Sequence, residues 1–344
     1  MSNFQISLVL AGVGLLAVMV AQGVWTARKN VPRQASPAET NAGLQVAQGV
    51  EPELDAAACD LASFPLPVLD KKASLDVLID VMASLSLDSP VSGDAALAAL
   101  PTTRRAGSKP FAVEGLNAAT QRWETPTAGQ RYVAFQAGVQ MANRLGALNE
   151  IEYSEFVMKT QAFCDVINAT PDFPEMLEEV ARARELDQFA SEHDAQLGFV
   201  LQARNAAWSP GYVQQHAARQ GFVAGVIPGR MVVPASVAGT APVLCLNFDA
   251  QAALADDPAL SAIREIAISL DVPQVDRREH AFVRMREVAL ALADSMDGVV
   301  TDDNGLALSA EAMEAIASEL EQLYDKLDQR DLSAGSALAR RLFS

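Results

Sequence analysis

From Phe4 to Trp25 the chain carries no charged side chain, and this run constrains everything that follows it. At a rise of about 1.5 Å per residue it makes a helix roughly 33 Å long, enough to cross a hydrocarbon core of about 30 Å. It predicts a transmembrane anchor within residues 1–25. A cleavable signal peptide would put basic residues before a shorter apolar run. Here Arg28, Lys29 and Arg33 follow the run and only Met1, Ser2 and Asn3 precede it. By the positive-inside rule the long C-terminal part then lies in the cytoplasm and the N-terminus outside.

The three cysteines, Cys59, Cys164 and Cys245, are odd in number and dispersed in or beside apolar segments, and read as buried or idle thiols. With 43 acidic against 26 basic residues the net charge is -17. Such a surface repels phosphate backbones, and no basic stripe interleaved with aromatics is present, so no nucleic-acid partner is expected. At 344 residues and 50 % hydrophobic, the chain has material for one or two cores beyond an anchor.

Residues 26–69 are rich in Pro, Ala, Gln, Glu and Thr and show no helix or strand period, which predicts a disordered tether. As a coil of about 45 residues it would span near 37 Å. Residues 70–192 read as an α+β unit: a strand in Ser74–Leu87, a helix from Ser92 to Leu100, strands at Phe111–Leu116 and Arg131–Met141, then helices over 150–169 and 174–191. Residues 193–331 repeat the theme. Strands are expected at Leu197–Ala203, Phe222–Val233, Pro242–Ala250 and Ile266–Val272, with helices after Ser209-Pro210, at Pro258–Ile263, at Glu279–Met296 and at Glu311–Asp328. Asn304-Gly305 marks a hairpin turn. Residues 332–344 read as a flexible C-terminal tail, in which Arg340-Arg341 and Leu342-Phe343 make a short amphipathic signature that is either a frayed end or a docking motif.

The two units read either as an ancient duplication or as a chance likeness of alternating apolar helices. By eye, Phe156-Val157 aligns with Phe282-Val283.

No catalytic pattern is present: there is no GxxxxGK[ST], HExxH, GxSxG or CxxC. His193, His216 and His280 stand singly, and Asp302-Asp303 lacks the alternating oxygen ligands of a calcium loop. The expectation is a non-enzyme with no cofactor and no metal. The sheet of the second unit is more informative. Alternation in PVLCLNFDA puts Leu244, Leu246 and Phe248 on one side and Val243, Cys245 and Asn247 on the other, so both faces carry apolar groups. If helices cover one face, the other is either buried within the protein or open to a peptide or partner helix.

From Val272-Pro273 onward, the helix ending ALADSMDG, the strand VVTDDNG and the segment LALSAEAMEAIASELEQ resemble the C-terminal domain of the ZipA cell-division family. Gly298-Val299-Val300 and Asp302-Asp303 match the family pattern, whereas Asp297 replaces the first glycine of its Gly-Gly pair. The plan of anchor, basic stop, tether and C-terminal domain is similar too, although the folded look of residues 70–192 departs from the family's low-complexity linker.

The resemblance implies an α+β fold: a split β-α-β antiparallel sheet domain with helices on one face, here preceded by a degenerate copy if the duplication is real. It also implies an inner-membrane division adaptor, cytoplasmic at its C-terminal domain, periplasmic at its N-terminus and placed at the division site. Its partners would be the FtsZ C-terminal peptide, the lipid bilayer through residues 4–25, and other divisome proteins. Matching strands to the family's groove by alternation points to Val200, Ile227, Met231, Leu246, Phe248, Ala250, Ala267 and Ser269, an assignment that a one-residue slip would invert. The alternative is a membrane-anchored scaffold or assembly factor for an envelope complex, acting through residues 70–192.

Overall fold

The computed structural model describes residues 32–35, 75–255, 257 and 261–344. The expected anchor and most of the expected tether lie outside the described residues. Among the described residues no helix is long and apolar enough to cross a membrane. The fold is mixed α+β with antiparallel sheets, arranged as two compact units.

The first unit runs through β1 (Asp80–Ser92), α1 (Gly93–Ala99), β2 (Arg105–Ala106), β3 (Lys109–Asn117), β4 (Trp123–Glu124), β5 (Arg131–Gln140), β6 (Ala142–Asn143), β7 (Gly146–Ala147), α2 (Glu150–Ile167), β8 (Ala169–Asp172) and α3 (Met176–His193). Its main sheet has the order β2-β3-β5-β1-β8, with β4 on β3. Alternation sets one face: Val81, Ala83 and Leu85 stand opposite Val139, Ala137 and Phe135 and are buried. Helix α2 roofs that face, with Phe163 edge-on to Phe135 at 5.4 Å. The helix starts at a capping box, Asn149 accepting from Glu152 N and Glu152 accepting from Asn149 N, and ends on Asn168 at φ 59°.

The second unit runs through β9 (Gln196–Ala203), α4 (Pro210–Arg219), β10 (Val223–Ala224), β11 (Arg230–Val233), β12 (Leu244–Asn247), α5 (Ala250–Leu254), β13 (Glu265–Asp271), α6 (Ala281–Met296), β14 (Gly298–Thr301) and α7 (Ala310–Gln329). Its sheet has the order β10-β11-β12-β13-β9-β14 with every neighbouring pair antiparallel. Phe199, Leu201, Ile266, Ile268 and Leu270 fill the covered face beneath Met285, Leu292 and Met296 of α6. Each such side chain contributes roughly 1.5–3 kcal/mol by leaving water. Phe282 meets Phe199 edge-on at 6.1 Å. Ser209 caps α4 and Ser309 caps α7, as their sequences require.

Chain ends that read as loose are docked. Residues 32–35 belong to the second unit: Arg33 N donates to Ala207 O at 2.7 Å, Ser209 N donates to Arg33 O at 2.9 Å, and the Arg33 guanidinium donates to Asp297 Oδ2 at 2.9 Å. Residues 336–344 belong to the first unit. There α8 (Ala337–Leu342) is capped by Ser336, and Leu342 and Phe343 are buried. The expected flexible tail is therefore a helix of the first unit. Arg341 holds the buried carboxylate of Asp80 with two hydrogen bonds, 3.0 and 2.5 Å.

Other sequence expectations also shift. The strand expected through Phe222–Val233 is two short strands joined by a loop. A short helix that was not expected lies at Ala250–Leu254. Of the helix expected at Pro258–Ile263, residues 258–260 lie outside the described residues, and Ile263 bridges Trp208. Around Asn304-Gly305 the hairpin closes through a single bridge, Thr301 to Ala307.

Candidate functional site

On the second sheet, residues alternate with those of the covered face to form two rows across the strands. One row is Arg230, Asn247, Ala267, Val200 and Thr301; the next is Val232, Cys245, Ser269 and Gly198. Asn247, Ala267 and Gly198 are exposed, and Val200, Val232, Cys245 and Ser269 are half-buried. Arg230 is half-buried and Thr301 buried, so the face is open chiefly over β12, β13 and β9, where its groups are small or apolar apart from Asn247.

Along this face runs a groove of about 670 Å³, floored by Val200, Gln202, Asn247, Glu265 and Ala267. One wall is the segment after β12 with residues 262–264; the other is the loop carrying Asp302 and Asp303. The two aspartates divide the work. Asp302 builds the loop, its Oδ1 accepting from Asn304 N at 2.9 Å and Leu306 N at 2.8 Å. Asp303 overhangs the floor, where a Cβ added at Gly198 would meet its Oδ1 at 3.3 Å. The walls thus carry Asp249, Asp302 and Asp303 together with Arg264, and the floor adds Glu265. Arg230 stands toward the β11 side, donating to Cys245 Sγ at 3.2 Å.

The predicted site residues separate by parity. Val200, Ala267 and Ser269 share the open face. Met231 and Leu246 do not: they are buried on the covered face, because each lies one residue from the open positions Arg230 and Asn247. Phe248 follows β12, is mostly buried, and lines the groove wall. Ile227 is exposed in the loop before β11, and Ala250 opens α5 rather than extending a strand. Gly198, Gln202, Cys245 and Asn247 were missed, although counting by twos from Val200 along β9 finds the first two.

Among the described residues, no cluster of three His, Cys, Asp or Glu side chains is placed to hold a metal. His216 lies away on α4 and is structural: it sits 3.1 Å from Ser295 Oγ, and burial, followed by the positive charge of Arg33, holds its pKa below the usual histidine value.

The second unit is thus an α+β domain: an antiparallel sheet with helices on one face and a shallow open groove on the other, a shape on which a partner segment can lie. Residues 255–319, which span β13, α6, β14 and the first half of α7, match the sequence model of the family described as ZipA, C-terminal FtsZ-binding domain. The match, over 65 of the 344 residues, supports a ZipA-type protein and implies an FtsZ-binding function in cell division. A comparison with curated proteins finds no match.

Proposed function

We propose that the chain is a membrane-tethered division adaptor that receives the C-terminal peptide of FtsZ on the open face of its second sheet. The single observation that carries this reading is the open floor at Ala267 and Ser269, which lie within the stretch that matches an FtsZ-binding family and stand beside Val200 of β9. In this reading residues 4–25 anchor the protein in the inner membrane, and both units are cytoplasmic. An extended or helical guest would bury its apolar side chains on the small-residue floor, while Asp249, Glu265, Asp302 and Asp303, outnumbering the one cation Arg264 of the same lining, favour basic groups on it.

Titrating the full chain with a fluorescent FtsZ C-terminal peptide tests the reading. Ala267→Glu puts a charge on the open floor without touching the core, and is expected to weaken binding at least about tenfold, the equivalent of roughly 1.4 kcal/mol. Wild-type affinity in a folded A267E variant would contradict the placement of the site.

A further inference from the structure

Four strands of each sheet share one order, one chain sequence and antiparallel pairing. In the first, β3-β5-β1-β8 are neighbours; in the second, β12-β13-β9-β14 are. Each edge strand, β8 or β14, begins directly after a helix ended by a left-handed residue, Asn168 at φ 59° or Asp297 at φ 57°. Setting these two residues together places Phe156, Phe163 and Ile167 of α2 on Met285, Leu292 and Met296 of α6, all of them buried. The strand registers then carry Leu85 onto Leu201, Phe135 onto Ile266 and Val113 onto Leu246, again core onto core. The by-eye match of Phe156 to Phe282 is three residues, about one helical turn, out of register.

The same equivalence maps the open face. Gly138 corresponds to Ser269, Ala112 to Cys245, Gln136 to Ala267 and Glu114 to Asn247. In the first unit this face is not bare. The chain turns back before β1, and a Cβ added at Gly138 would lie only 2.6 Å from Leu75 Cδ2. Leu75 N donates to Glu114 Oε1 at 3.1 Å, and Gln136 Nε2 donates to Glu114 Oε2 at 2.9 Å. Gly138 and Glu114 are buried, whereas Ser269 is half-buried and Asn247 exposed.

We infer that the first unit is a second copy of the docking fold with its groove occupied by its own Leu75, and that the guest of the second unit repeats this contact: an apolar side chain over Ser269, its backbone N–H donating to Asn247 Oδ1. This rests on the proposed peptide-docking reading and fixes where on the sheet the guest is held. The first copy has exchanged apolar floor for polar partners and closed itself. The second keeps an acceptor at 247 and a small residue at 269.

The test is the binding of the FtsZ C-terminal peptide to the full chain and to four variants, each checked for folding by thermal melting. Ser269→Phe fills the seat and is expected to lose at least about tenfold in affinity, while Ser269→Gly, the residue of the closed copy, stays within about twofold of wild type. Asn247→Asp keeps an acceptor and retains binding, whereas Asn247→Leu loses the bond and about fivefold in affinity. Wild-type binding with Ser269→Phe unaffected overturns the inference alone. No binding by the wild type overturns the FtsZ reading and this inference with it.

Discussion

Asp297 occupies a left-handed position, φ 57°, where glycine is the easy residue and an L side chain is strained. Its carboxylate explains why it is there, accepting from Arg33 at 2.9 Å and Asn205 at 3.0 Å. Arg33 also donates to Met296 O at 3.3 Å, and Trp208 Nε1 donates to the same carbonyl at 2.8 Å, so the C-terminal end of α6 is capped by a cation and an indole. In the sequence Asp297 looks like a lapse from a Gly-Gly pattern, because its partner lies 264 residues away.

Arg33 also bears on His216, whose pKa is lowered first by burial and then by that guanidinium. As the pH falls below about 6.5, the unfolded chain takes up a proton at His216 that the folded unit resists, so stability is lost toward the folded value. Arg33→Ala is expected to raise the folded His216 pKa and narrow that window, as read by NMR titration of the imidazole. An unchanged pKa would mean that Arg33 does not dock beside α6.

At the scale of elements, helices announced by caps were legible: Asn149 with Glu152, Ser209-Pro210 and Ser309 each begin one. Two elements were not. Strand β8 has the sequence ATPD, too short and too polar to alternate, with a proline tolerated because β8 is an edge strand. Helix α8 read as a flexible tail because nothing local reveals its partner, Asp80, 261 residues earlier. Burial raises the Asp80 pKa, and the Arg341 hydrogen bond and charge oppose that. Removing Arg341 leaves a buried carboxylate without its cation, which costs about 3 kcal/mol or more. Arg341→Ala, or deletion of residues 336–344, should therefore lower the melting temperature of the first unit by several degrees in calorimetry. An unshifted transition would show the tail to be dispensable after all.

For the whole molecule, apolar alternation made the class and the sequence of the two α+β units readable, but not which sheet face stays open. Parity decided that, and the choice of Met231 and Leu246 shows how one residue of slip exchanges core for surface. Docking of residues 32–35 also changes the expected reach. If residues 4–25 form the anchor, only residues 26–31 separate it from Pro32, about 20 Å at full extension. That is shorter than the roughly 37 Å of a free 45-residue tether. The central claim is that the bare face of the second sheet holds the guest. Hydrogen–deuterium exchange on the full chain with and without the FtsZ C-terminal peptide tests it most directly. The account predicts slowed exchange in residues 198–202, 245–247 and 265–269, with residues 82–86 and 134–138 unchanged. Peptide binding that leaves those second-sheet segments unprotected would contradict it.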